Sequence, residues 1–387
     1  MAAPPRDPFD PQFARGLIEQ AFSPALEHYF RPRLLGRQRI PQDGPLILAA
    51  NHSGNTFPFD ALVLDSALWQ HDGMRPEKKF RALFEKELAL AWWMRPFGVD
   101  DLYRRGGGID LTFANFERMI QRRDRLLYFP EGVRGIGKGF HHRYELQRFH
   151  TSFALLAGRH DVPVVPLYII NAEWLVPFSF TLRALDRTMQ KLFHVPFLPL
   201  PVAPLGVLFP WAWWLALPAR VICVAGEPID VRAMLHEHGA TSFENPDGTV
   251  LRKVTGRIRK QMQVELTAAA ERYGQRPYQL RSLVRNLKAA RKRGRLARTL
   301  PTHWAGGFLR FERDRDRPPA RNWLHRIMRD WDMLGYYLPF GWPFLSMTRA
   351  LRKPPCGYRG LDRDERKQRE GSYLWHLSEN PLPPRRD

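Results

Sequence analysis

Acidic side chains are scarce in this chain. Across 387 residues, 39 Asp and Glu stand against 60 Lys and Arg, a formal net charge of +21. Such a surplus does not hold a fold together; it implies an anionic partner such as nucleic acid, an acidic bilayer or a phosphate-bearing substrate. Cysteine is nearly absent. Cys223 and Cys356 lie far apart and form no metal-type spacing, which excludes a disulfide framework and fits a reducing compartment. The N-terminal segment Met-Ala-Ala-Pro-Pro-Arg-Asp-Pro has no basic region followed by an apolar one, so no secretory signal and a cytoplasmic-side location are expected. No Gly-x-Ser-x-Gly elbow is present to present a serine nucleophile. Between Lys191 and Arg220 there is no charged residue at all. That length suffices for a bilayer crossing, yet prolines at 196, 199, 201, 204, 210 and 218 would strand too many backbone groups in lipid. An interfacial or re-entrant segment over 192–219 is expected instead, with Trp211, Trp213 and Trp214 at headgroup depth.

What is present begins with 44% hydrophobic residues, enough for a packed core. Residues 9–36 read as an amphipathic helical region ending in Arg31, Arg33 and Arg37. Short apolar runs at 45–50, 125–129, 162–170 and 221–225 read as buried strands. Helical patterns at 61–69, 110–121 and 149–159 alternate with them, which predicts an α/β domain. Past residue 235 the composition changes. From Arg252 to Arg298 the only acids are Glu265 and Glu271, and residues 280–300 form a basic amphipathic segment suited to anionic lipid. A second charge-free aromatic run follows at 333–348.

Three strand-end or loop segments carry chemistry. His52 follows the first apolar run in a polar loop, where it can take a proton near neutral pH; Asp60 is the carboxylate available to hold its tautomer. Phe129-Pro130-Glu131-Gly132-Val133-Arg134 stands at the end of another strand, with Arg134 fit to grip a phosphate and Glu131 to orient a hydroxyl or anchor a neighbouring base. Gly98, then Arg104 and Arg105 before three glycines, is a third anion-binding candidate. The stretch Gly132–Gly139 approximates a nucleotide-phosphate loop but has Gly139 where Ser or Thr must follow the lysine to ligate magnesium, so no nucleoside triphosphate is expected.

Taken in order, Asn51-His52-Ser53-Gly54 with Asp60, then Gly98 to Arg104, then Phe129 to Arg134, then Val162-Pro163-Val164-Val165-Pro166, resemble the four blocks of the PlsC-type glycerolipid acyltransferase family over roughly residues 25–235. The resemblance implies a mixed, largely parallel sheet flanked by helices, in a domain expected to span residues 1–240; the composition beyond it predicts a basic, aromatic-rich and mainly helical extension over 241–387. It implies transfer of a fatty acyl group from acyl-CoA or acyl-carrier protein to a lipid hydroxyl such as that of a lysophospholipid, with no cofactor or metal. His52 would be the base and Asp60 its partner. Asn51, Ser53, Gly98, Arg104, Arg105, Glu131, Gly132 and Arg134 would bind substrate, and amides near Gly54 or Gly132 would serve the oxyanion. The family usually places four residues between the histidine and the aspartate; here seven intervene. The expected setting is the cytoplasmic face of an anionic membrane, peripheral or monotopic. The competing readings are a non-catalytic lipid-binding member of the same fold and a nucleic-acid-binding protein. No nucleic-acid-binding motif supports the latter.

Overall fold

The structure is a computed structural model that describes residues 7–53, 57–84, 99–180, 200, 202–304, 306–308, 310–311 and 321–345. Gly54 and Gly98 lie outside the described residues, as do 192–199 of the charge-free segment.

The chain opens on a helix, α1 (Pro11–Leu17), capped by the Asp10 carboxylate on Phe13 N, and the helical path continues through two π-turns to Phe30. Arg31, at φ 48°, turns it into strand β1 (Arg33–Leu35). Then follow β2 (Leu46–Ala50), helix α2 (Phe59–His71), β3 (Phe80–Phe84) and helix α3 (Val99–Arg105). Strand β4 (Ile109–Asp110), helix α4 (Phe113–Gln121), β5 (Arg125–Tyr128), the single-turn helix α5 (Val133–Ile136) and helix α6 (Ser152–His160) come next. Strand β6 (Val164–Ile170), helix α7 (Val202–Leu208), β7 (Ile222–Ala225) and helix α8 (Val231–Glu237) complete the α/β part. The long helix α9 (Gly248–Tyr273), the basic helix α10 (Leu280–Lys292) and a short helix α11 (Trp323–Arg329) lie beyond it.

The strands form one seven-stranded sheet in the order β1-β7-β6-β2-β5-β3-β4. Every neighbouring pair is parallel except β6 and β7, so the sheet is mixed and largely parallel, as expected. Its central strands are apolar on both faces because both are covered. Leu46, Leu48 and Ala50 of β2 face a layer of α1, α2, Phe30, Trp213, Trp214 and Trp304. Ile47 and Ala49 face the opposite layer, made by α4, α6, α8 and α9.

Two expectations need correction. Trp213 and Trp214 are not at a headgroup surface: both are buried, Trp214 against Phe57 and Trp213 over Gly206. A charge-free run reads the same whether it faces lipid or core, and here the two indoles fill the core. Nor does residue 240 end the packed unit. Val254, Ile258, Met262 and Leu266 of α9 are buried with Val164 and Tyr168 of β6, and Trp304 and Phe308 join the layer on the other face.

Candidate active site

Because β2 and β5 are parallel neighbours, their following loops emerge side by side at one edge of the sheet, the place where open α/β sheets bind ligands. One loop carries His52 and the other Glu131.

His52 is held on every side. Its Nδ1 lies 2.9 Å from Asp60 Oδ2. Its ring stacks face to face on Phe129, centroids 3.9 Å apart. Its backbone N–H donates to Glu131 Oε1 at 2.9 Å. Beneath it runs Gly135, where a Cβ would fall 2.7 Å from the Cβ atoms of both His52 and Glu131. Nε2 has no hydrogen-bond partner among the described residues and is the nitrogen left for a substrate proton.

Asp60, at the start of α2, is buried and fully employed. Oδ2 accepts from Ser53 N at 2.9 Å and Ser53 Oγ at 3.1 Å besides facing His52, and Oδ1 accepts from Ala61 N at 2.8 Å. Burial pushes its carboxyl pKa up, but the His52 imidazole and these N–H donors outweigh burial and hold it below the usual carboxylate range. The three extra residues between His52 and Asp60 therefore do not separate the pair.

Several of the expected substrate-binding residues make hydrogen bonds or ion pairs within the protein. Asn51 exchanges hydrogen bonds with the backbone of Ile169, joining β2 to β6 beyond the last strand pair. Ser53 serves Asp60. Glu131, fully buried, divides its carboxylate between His52 N and Gln147 N. Gly132 adopts φ 57° and spends its N–H on Phe129 O, so this amide is not an oxyanion donor. Arg104 pairs with Asp110 at 2.8 Å. Arg105 pairs with Asp10 at 3.2 Å and lies 3.6 Å from the Phe13 ring centroid. Both arginines of α3 thus have their charge answered within the protein. Motif reading identifies these positions but cannot tell a residue that holds the base from one that holds the substrate.

Of the expected anion-binding groups, Arg134 is exposed, with no carboxylate on it among the described residues. Sequence reading missed its neighbours. His150 lies against Gly132, its Nε2 3.1 Å from where a Cβ on that glycine would stand, and its backbone N–H donates to Pro130 O. Desolvation of its ring, then the charges of Arg134 and Arg148, hold the His150 pKa below the usual histidine value. Gly135 was also missed, although a glycine three residues after Gly132 is the signal for a close backbone approach. A third omission is the buried pair Lys138–Glu173, 3.9 Å apart. Burial pushes the Glu173 carboxyl up to about 7 against the opposing pull of Lys138. Lys138, the lysine of the glycine-rich loop, thus points into the protein.

An imidazole fixed by a buried carboxylate, beside an arginine that meets no carboxylate among the described residues, has the geometry of a general base for a hydroxyl on an anionic molecule. Comparisons with known proteins bear on which reaction this serves. Residues 31–170 match the family model described as Acyltransferase. The chain is 28% identical over 260 residues to an uncharacterized protein of Mycobacterium tuberculosis, covering 67% of each. It is 30% identical to one of Mycobacterium leprae, covering 67% of this chain and 65% of that one. Among solved structures, a 1-acyl-sn-glycerophosphate acyltransferase, PlsC, of Thermotoga maritima matches at 18% identity and a TM-score of 0.35, over 61% of this chain and 72% of that one.

Proposed function

Residues 31–170 form an acyltransferase-family domain, and on that premise we propose that the protein moves a fatty acyl group from a thioester, acyl-CoA or acyl-carrier protein, to a hydroxyl of an anionic glycerolipid at a membrane surface. The observation that carries this reading is the His52–Asp60 contact of 2.9 Å, with no partner on His52 Nε2 among the described residues.

In this reaction His52 Nε2 takes the acceptor's hydroxyl proton while the acceptor oxygen attacks the thioester carbon. Asp60 holds the imidazole in the tautomer with hydrogen on Nδ1 and stabilises the imidazolium. The tetrahedral intermediate collapses, the carbon–sulfur bond breaks, and the thiol leaves with the proton returned by His52. Arg134 and Arg148 supply the charge for an acceptor phosphate near the hydroxyl, and His150, kept neutral, offers a hydrogen bond.

The membrane part of the proposal rests on a different surface from the tryptophans first expected. Helix α11 exposes Trp323, Leu324, Ile327 and Met328, with Trp323 69% and Met328 74% exposed. Leu334, Leu338 and Phe340 continue the apolar face. Phe340 N donates to Leu208 O and Trp342 Nε1 to Gly206 O, which joins it to the exposed Leu205 and Val207 of α7. An apolar face of this extent calls for a partner. The basic residues of α10 and of the segment after it, from Arg285 to Arg298, lead through residues 299–303 to the same face, where His303 meets Tyr337. Apolar side chains bordered by cations suit an anionic bilayer. No helix among the described residues is long and apolar enough to cross a membrane.

The test is turnover of labelled acyl-CoA and acyl-carrier protein against a panel of lysophospholipids. Wild type should transfer and His52→Ala, equally stable, should not; full transfer by His52→Ala would overturn the mechanism.

A further inference from the structure

The proposed mechanism leaves three arginines unused, and the backbone gathers them. Arg33 N donates to Val221 O and Val221 N to Phe30 O, which places Arg31 and Arg33 beside Arg220 where β1 and β7 begin. Arg31 is only 6% exposed, yet it meets no carboxylate. Its Nε donates to Tyr29 O and its Nη2 to Pro218 O and Tyr278 O, while its Nη1 is buried without a partner. Arg220 Nη1 donates to Gln279 Oε1, and its Nε is likewise buried without a partner. Arg33 is exposed and opens the group to solvent. Among the described residues, no acid pairs with any of the three. The strain registers on the charges themselves: burial, then Arg220, lowers Arg31 to about 10, and burial, then Arg33, lowers Arg220. Buried donors of charged groups left without partners are costly, and clustered cations raise that cost. An anion removes both terms.

Its place on the sheet says which anion. Strand β7 runs against β6, so β7 starts at the edge where β2, β5 and β6 end. Ile222 stands opposite Ile170 on β6, and Leu167 opposite Ala50, two residues before His52. Arg220 therefore shares the edge of His52 with β6 between them, two strand spacings across and about three residues farther along, roughly 14 Å from backbone to backbone. The other basic group, Arg134 with Arg148 and His150, lies by the 129–135 loop that touches His52 through Phe129, Glu131 and Gly135, with His150 against Gly132. In a lysophospholipid acceptor only a few bonds separate hydroxyl from phosphate, so its phosphate belongs next to the base. In an acyl donor the whole pantetheine arm separates the thioester from the nearest phosphate, which belongs farther off. Building on the acyltransferase reading, we infer that Arg31, Arg33 and Arg220 bind the phosphate of the donor's phosphopantetheine carrier, whether coenzyme A or acyl-carrier protein. The guanidinium fork suits that group bidentately.

Calorimetric binding to the full chain tests this without turnover. The ligands are coenzyme A, phosphopantetheine-bearing acyl-carrier protein and sn-glycerol 3-phosphate. Arg33→Gln/Arg220→Gln should weaken the carrier that wild type binds by about tenfold or more and leave glycerol 3-phosphate unchanged. Lysines at both positions should restore part of the loss. The carrier that weakens identifies the donor. Unchanged carrier binding in the glutamine variant overturns the inference, as does a loss confined to glycerol 3-phosphate, or a wild type that binds neither carrier. Thermal melting checks the fold. If the double variant is unfolded, Arg33→Gln alone, on an exposed side chain, must show a smaller loss of the same kind. Retained transfer by His52→Ala would sink the reaction reading and leave this binding result standing.

Discussion

The carboxylate of Asp60 reaches back eight residues to place Oδ2 2.9 Å from His52 Nδ1, and the same oxygen accepts both the N–H and the hydroxyl of Ser53. One buried atom thus fixes the imidazole and the loop that carries it. Asp60→Asn keeps the shape but puts an amide where this oxygen must accept three donors. The imidazole then loses the partner that sets its tautomer. Transfer should fall on the order of 10³- to 10⁴-fold, with KM little changed. Steady-state kinetics at saturating acceptor check it; an unaffected kcat would mean that another group orients His52.

Gly135 tests the packing beneath the base. A methyl group there would sit 2.7 Å from the Cβ atoms of both His52 and Glu131, inside contact distance of two side chains that cannot swing away. Gly135→Ala should displace the histidine, cutting kcat at least tenfold and costing about 1–3 kcal/mol of stability. Kinetics with denaturant unfolding separate the two effects. A fully active, fully stable variant would show that the loop has room to relax.

The strands legible in the sequence are β2, β5, β6 and β7, each of which falls in a short apolar run. Strand β3 was missed because Arg81 sits inside it, its charge answered by Asp7 far back in the chain. Strand β1 was missed because Arg33-Leu34-Leu35 read as the tail of a helix, and β4 is only two residues long. At the site, the sequence pattern located His52, Asp60 and Glu131. It does not disclose the internal hydrogen bonds of Asn51, Ser53 and Glu131, since partners over a hundred residues apart, such as Asn51 and Ile169, leave no local trace. The tryptophans at 213 and 214 were misread for a related reason: apolar composition does not say which apolar medium it faces.

The exposed face of α11 should govern membrane affinity and not the chemistry. Trp323→Ala with Met328→Ala removes two side chains that already face outward, so stability should change by less than about 0.5 kcal/mol. Each lost insertion is worth about 1.5–3 kcal/mol, so partition onto anionic vesicles should drop at least tenfold. Transfer to a water-soluble, short-chain acceptor should persist. Co-sedimentation with phosphatidylserine-containing vesicles is the measurement. Undiminished binding would assign the membrane contact to another surface.

Glu173 makes the fold sensitive to pH in a definite direction. Its carboxyl titrates at about 7 in the folded protein, against an ordinary value of 4.5, because burial disfavours its charge more than Lys138 and the Tyr144 N–H favour it. Between pH 4.5 and 7 the folded chain keeps a proton that the unfolded chain has released. This group's contribution to stability therefore falls as pH rises through that window, then levels off above 7. The whole effect is worth roughly 3 kcal/mol. Glu173→Gln removes the titration but keeps the shape, while the opposite, acid-side dependence of Asp60 is common to both proteins and cancels. The stability of Glu173→Gln relative to wild type should therefore improve by about 2–3 kcal/mol between pH 5 and pH 8. Urea unfolding of both proteins at the two pH values measures this. A difference that stays constant with pH would mean that Lys138 keeps Glu173 ionised throughout, as a true buried ion pair.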